Sequence, residues 1–320
     1  MRAIVYSRFG GPEALELRDL PEPRPRDDEI LVRVHAAGFN PVDWKLLRGE
    51  FRFMARGPWP RPAGMEFAGR VAAIGSCVQR FKVGDAVHGA LDPFKTRRGT
   101  FAEFVCARES EVALMRDGLS FSEASVLHGA GISAVDCLRR LGEARAGQRV
   151  LILGAAGGIG TFAIQLAKLW GLHVTAVCRE RAITLVRGLG ADQVVAFDLV
   201  DPLRLGERFD LILDAAAKYS FGRCAHLLTG RGIYVNSMPG PRMFFDALRT
   251  RLFGGRRARF LMVRVNEASI AEIGRLAAEK KFKAVVGHAF PLAQTRAAYE
   301  LSLAGHVSGK IVITIAGDSK

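Results

Sequence analysis

Arg149-Val150-Leu151-Ile152-Leu153-Gly154-Ala155-Ala156-Gly157-Gly158-Ile159-Gly160 is the stretch whose reading decides the fold. Residues 150–153 form an apolar run too short for a helix, which predicts a buried strand. The glycines predict a turn. After it, Ile159, Phe162, Ala163, Leu166, Ala167 and Leu169 fall on one face of a helix over about 159–170. Gly171 ends that helix, and 173–178 predicts the next strand. Strand, glycine turn and helix in this order suit a dinucleotide pyrophosphate. Small residues let the backbone approach the phosphates, and the helix start offers N–H groups and the positive end of its dipole. Ala155, Ala156, Gly157, Gly158, Ile159 and Gly160 are therefore the expected cofactor-binding residues. The bland alternative is a structural βαβ turn, because glycine-rich turns are common.

Working outward, strands are predicted at 193–197, 211–214 and 232–236, with helices at about 180–189 and 219–228. Such alternation implies a parallel sheet with right-handed crossovers. A sixth strand is expected at 260–265. The first third reads as short β-strands at 3–6, 15–18, 29–36, 67–74 and 86–89, broken by prolines and glycines. A helix near 293–304 and a strand at 310–315 end the chain.

The 320 residues allow two domains, and 49% hydrophobic with 24% charged residues is ordinary for a globular protein. No apolar run is long enough to span a membrane, and a strand-like run opens the chain where a secretory signal would stand. A cytoplasmic location with no membrane partner is expected. Five scattered cysteines with no CxxC pair support neither a disulfide framework nor a zinc knuckle. The net charge of +14 is unusual, and much of it lies in 242–264, where seven arginines face one acid, Asp246. Such a cluster can bind nucleic acid or anionic lipid. With no aromatic-interleaved nucleic-acid motif, a solvated arginine-rich face is the expectation.

Several motifs occur in a telling order. They are 36–45 (Ala-Ala-Gly-Phe-Asn-Pro-Val-Asp-Trp-Lys), 69–75, 81–87, 129–134, the glycine loop, 189–192 and 309–312. In these the chain resembles the medium-chain dehydrogenase/reductase superfamily over essentially its whole length, in its zinc-independent quinone oxidoreductase and alkenal (enone) reductase branch. The resemblance implies an α/β protein with a GroES-like β-rich catalytic domain around an inserted Rossmann domain with a doubly wound parallel sheet. The expected division is 1–122 and 267–320 for the catalytic domain and 123–266 for the NADP-binding domain.

Zinc-dependent relatives carry a ligand cysteine where this chain has Asn40, and Gly-His-Glu where it has Gly64-Met65-Glu66. A catalytic zinc needs about three protein ligands. Losing thiolate and imidazole together predicts no metal. Glu66, His35 and His88 remain as stray ligand types, with structural hydrogen bonding or lining of the cleft the expected roles. Without a Lewis acid, a hydride acceptor must already be electrophilic: a quinone or an α,β-unsaturated carbonyl. Donors aimed at the developing oxyanion would carry the catalysis. The resemblance implies Asn40 and Lys45 for that role, with Lys45 equally readable as a surface lysine and Asp43 as a cap. Ser133 matches the family's hydroxyl near the nicotinamide ribose. No tyrosine is given a catalytic role.

NAD-selective Rossmann domains hold the ribose 2′-OH with an acid at the second strand's end. Here that end is Cys178-Arg179, with Arg181 beyond, and guanidinium groups suit a 2′-phosphate. NADPH is expected over NADH. Glu180 turned inward would favour NADH, and Phe197 departs from the tyrosine often found there. Two other functions stay open: an enoyl-thioester reductase using the arginine cluster on a CoA or phosphopantetheine arm, and a nucleotide-regulated RNA-binding protein with little turnover. Edge pairing of the sixth strand predicts a C2 homodimer.

Overall fold

In the computed structural model, which describes residues 1–53, 59–92, 94, 98–238, 240–263 and 266–316, the decisive stretch forms strand, turn and helix. The chain divides into two compact units, Ala130–Arg264 and Met1–Gly129 with Val265–Lys320.

In the first of these, six described strands make one parallel sheet: β1 (Arg149–Leu153), β2 (His173–Cys178), β3 (Gln193–Ala196), β4 (Phe209–Asp214), β5 (Leu228–Asn236) and β6 (Arg257–Phe260). Their spatial order is β3-β2-β1-β4-β5-β6. This is the doubly wound dinucleotide-binding order, which reverses direction beside β1. Val150, Leu151, Ile152 and Leu153 are all fully buried, the continuous apolar run of a strand covered on both faces. The helix Gly158–Leu169 buries Phe162, Ala163, Ile164, Leu166 and Ala167, while Leu169 is turned out toward solvent. The sixth strand lies earlier than expected. It covers Arg257–Phe260 and stops there; Leu261, Met262 and Val263 are not strand, and residues 264 and 265 lie outside the described residues. The helix Pro241–Phe253, unforeseen in the sequence, packs on β6.

The other unit is β-rich. Among the described residues its larger sheet runs Val286–Pro291, Lys310–Thr314, Glu29–Phe39, Glu66–Ile74, Ala86–Ala90 and Val112–Leu114, with Phe104–Arg108 also paired to Glu29–Phe39. The chain's end therefore returns to its beginning: Lys310–Thr314 pairs antiparallel with Glu29–Phe39, Ile311 opposite Phe39. On the other side of that strand, Glu66–Ile74 pairs with Ala68 opposite Ala36. Three strand ends thus converge, carrying Asn40, Glu66 and Lys310. Ile30, Val32, Phe67, Phe101 and Tyr299 are among the residues filling the core beneath them.

Candidate active site

The cofactor-binding candidates lie at the carboxyl ends of the parallel strands, where ligands of such sheets bind. Gly154 ends β1 with φ +77°, a left-handed conformation that favours glycine. Gly160 is a packing glycine: a Cβ there would meet the Gly154 carbonyl oxygen at 2.4 Å and that of Ala155 at 2.6 Å. Gly157 is different. A Cβ there would find only the Gly154 oxygen, at 3.4 Å, so the fold itself does not require glycine. Gly157 also caps the helix Gly158–Leu169 with no side chain to occupy its first N–H groups, which leaves them to an anion. Ala155 is buried in the turn. The short helix Ser133–Val135 packs against Gly158–Leu169, and the Ser133 side chain is buried.

At the end of β2, Arg179 is exposed, and its guanidinium lies 5.2 Å from the ring centre of Phe197, just past β3. Phe197, which cannot donate to a phosphate, thus supports the arginine beside it. Glu180 and Arg181 are exposed in the following turn. Asp198, which sequence reasoning overlooked, accepts a hydrogen bond from the Glu180 backbone N–H at 2.9 Å.

In the β-rich unit, Asn40 precedes the helix Pro41–Leu47 and is buried. Its Nδ2 donates to Glu66 Oε1, and its Oδ1 accepts from Lys310 Nζ at 2.5 Å. The Gly129 N–H donates to the same Glu66 oxygen at 2.9 Å, and Lys310 Nζ lies 3.8 Å from it. Two glycines make room for this group. A Cβ on Gly129 would meet Glu66 Oε1 at 2.3 Å, and one on Gly38 would meet the Ser125 carbonyl oxygen at the same distance. Asp43 accepts the Asn40 backbone N–H at 2.7 Å. Burial raises the Asp43 carboxyl to about 7, helped by the Glu66 charge and opposed by the Asn40 N–H and by Lys310. Lys45 lies on the same short helix, half-buried, with Nζ 5.4 Å from the centre of the Trp44 ring. Burial lowers its pKa, so this ammonium releases a proton more readily than a free lysine.

Beside this group, His88 Nδ1 and His128 Nε2 stand 2.9 Å apart in stacked rings. Burial lowers the pKa of His88 to about 4 and that of His128 well below the ordinary histidine value. Both rings are held neutral, and one donates to the other. His35 stacks on Phe121 with ring centres 4.3 Å apart.

These donors do not suit zinc. Among the described residues no three His, Cys, Asp or Glu side chains gather as ligands. The amide of Asn40 is tied to a carboxylate, and an ammonium stands against it. Lys310 is the residue that sequence reasoning missed. Its signals were the motif at 309–312 and the strand pattern at 310–315, whose register with Glu29–Phe39 sets it opposite Asn40.

Comparison with known proteins supports the fold. Residues 26–117 match the alcohol dehydrogenase GroES-like domain, and 189–313 match the family described as zinc-binding dehydrogenase. A chloroplastic quinone-oxidoreductase homolog of Spinacia oleracea is 32% identical over 98% of both chains. A trans-enoyl reductase of Aspergillus terreus is 31% identical over 90% of this chain and 86% of its own. The solved quinone oxidoreductase of Coxiella burnetii superimposes with a TM-score of 0.90 at 31% identity, covering 98% of this chain and 99% of its own. The chain belongs to the quinone oxidoreductase branch of the medium-chain dehydrogenase/reductase superfamily.

Proposed function

We propose that this chain is a zinc-independent oxidoreductase that uses NADPH to reduce a quinone or an α,β-unsaturated carbonyl. The observation that carries the reading is Lys310 Nζ on the Asn40 amide, a built-in cation where zinc-dependent relatives use a ligand cysteine. When bound, NADPH supplies the hydride. Ala155, Ala156, Gly157, Gly158, Ile159 and Gly160 would hold its pyrophosphate, Ser133 a ribose hydroxyl, and Arg179 with Arg181 the 2′-phosphate. Arg179 is already propped on Phe197 for that task.

Reduction of an enone or quinone builds negative charge on the carbonyl oxygen, so pre-aimed donors lower the barrier. Asn40 gives one Nδ2 hydrogen to Glu66, which fixes the amide and leaves the second hydrogen for that oxygen. Lys310 withdraws charge from the amide oxygen and strengthens the Nδ2 donors. Lys45 Nζ, its proton loosened by burial, is the proton donor. The exposed edge position of β6 supports assembly as a C2 homodimer.

The second reading is reduction of an enoyl thioester, favoured by the likeness to the Aspergillus trans-enoyl reductase. NADPH oxidation with 9,10-phenanthrenequinone, an acyclic enone and crotonyl-CoA separates the two. Turnover with quinone or enone supports the proposal, turnover with crotonyl-CoA alone transfers it to thioesters, and no turnover overturns both.

A further inference from the structure

The helix Pro241–Phe253 is built inside out. At about 100° per residue, Phe244, Leu248 and Leu252 form one row with Phe245 beside it. Most of that row faces away from the protein: Phe245, Leu248 and Leu252 are 66%, 60% and 70% exposed, and Phe253 at the helix end is 82% exposed, while the half-exposed Phe244 leans on Phe260 with ring centres 4.4 Å apart. The inward face is instead Met243, Asp246 and Thr250. Thr250 Oγ1 accepts the Ala258 N–H of β6 at 3.0 Å, which fixes the rotation of the helix on the sheet. The apolar row therefore cannot turn inward to join the core.

Arginines border this row on both sides. Arg251 lies along one flank and Arg242 and Arg249 along the other, all exposed. The one acid of the helix, Asp246, is buried on the inner face. Among the described residues no acidic side chain pairs with Arg242 or Arg251, whereas Arg257 and Arg259 on β6 share Glu143 and Arg249 lies 3.9 Å from Asp246. Arg242 and Arg251 are thus the helix arginines that meet no acid.

We propose that Pro241–Phe253 docks this protein flat on an anionic lipid surface, with Phe244, Phe245, Leu248 and Leu252 entering the acyl boundary and Arg242, Arg249 and Arg251 on the phosphates. An apolar arc flanked by arginines is the pattern of a helix lying in the membrane interface. Charge complementarity selects this occupant. A second copy of the chain would bring the same arginines and no exposed acid of this helix to meet them. Nucleic acid would leave Leu248 and Leu252 without a purpose, since bases stack on aromatic and guanidinium planes. On this proposal the arginine-rich face, expected to be merely solvated, is an interaction surface of a chain in which, among the described residues, no helix is long and apolar enough to cross a membrane.

The test is co-sedimentation of the full chain, with NADPH present, on vesicles of phosphatidylcholine alone or mixed with phosphatidylglycerol, at low and high salt. Binding should need the anionic lipid and weaken as salt screens the charges. Each of Arg242→Glu and Arg251→Glu should weaken it about fivefold or more. Phe245→Ser with Leu252→Ser, both exposed in the wild type, should weaken it at least about tenfold and leave NADPH oxidation in solution unchanged. Equal binding to neutral vesicles, none to anionic ones, or full binding by the Ser variant overturns the proposal. A fall in mass by light scattering for the Ser variant would reassign the face to contact between copies. RNA binding without vesicle binding would reassign it to nucleic acid. Both outcomes overturn the lipid assignment.

Discussion

Removing both charges from the Asn40–Glu66–Lys310 group should cost clearly less than the sum of removing each alone. The Lys310 and Glu66 side chains are 4% and 2% exposed, with Nζ 3.8 Å from Oε1 and Asn40 bridging them. Lys310→Met leaves a buried carboxylate held only by the amide of Asn40 and the N–H of Gly129. Glu66→Gln keeps an oxygen for both donors but leaves the ammonium without a counter-charge. Breaking a buried pair on one side costs about 3–5 kcal/mol, whereas replacing both partners is often close to neutral. Each single variant should therefore lose about 3 kcal/mol or more. The double variant should lose less than their sum by about 2–3 kcal/mol. Urea unfolding of the four proteins measures this, provided the slope is common to all. Additivity within about 0.5 kcal/mol would refute the coupling and with it the claim that Lys310 serves Asn40 in place of a metal.

The two loop glycines should separate binding from packing. Gly157→Val, facing open space, should weaken NADPH binding about tenfold or more and leave stability nearly unchanged. Gly160→Ala, driven against two carbonyl oxygens, should instead cost about 1–3 kcal/mol in denaturation. Equal behaviour of the two would make the loop a structural turn. Arg179→Asp removes a charge-assisted contact worth about 1.5–3 kcal/mol and adds repulsion, so the NADPH/NADH ratio of kcat/KM should fall at least about tenfold. An unchanged ratio would leave Glu180 as the ribose-facing residue. Asp43 keeps its proton to about pH 7 when folded but only to 3.8 when unfolded, so it lowers stability as pH rises between those values. The stability of the wild type relative to Asp43→Asn should fall by about 1.4 kcal/mol per pH unit across that window, and a flat difference would contradict the burial of Asp43.

The Rossmann half was legible because the apolar period changes from strand to helix at the glycine loop, and both sides of that change are deeply buried. The sixth strand was misplaced for a local reason. Residues 260–265 alternate apolar character, whereas β6 itself reads Arg-Ala-Arg-Phe and is held by side chains from elsewhere, Glu143 among them. The helix Pro241–Phe253 was overlooked although Phe244, Leu248 and Leu252 keep helical spacing, because the arginines between them drew the reading of this segment to its charge. Asn40 was visible through its motif. Its partnership with Lys310 was not, because it depends on strand register between residues 270 positions apart.

Metal-free hydride transfer is the claim on which the function rests. The most direct measurement is NADPH oxidation with the acceptor that turns over best, before and after exhaustive chelator dialysis, with zinc counted in both samples. The Lys310–Asn40–Glu66 arrangement predicts unchanged kcat and no stoichiometric zinc in either sample. One tightly held zinc per chain, with activity lost on its removal and restored on its return, would contradict it.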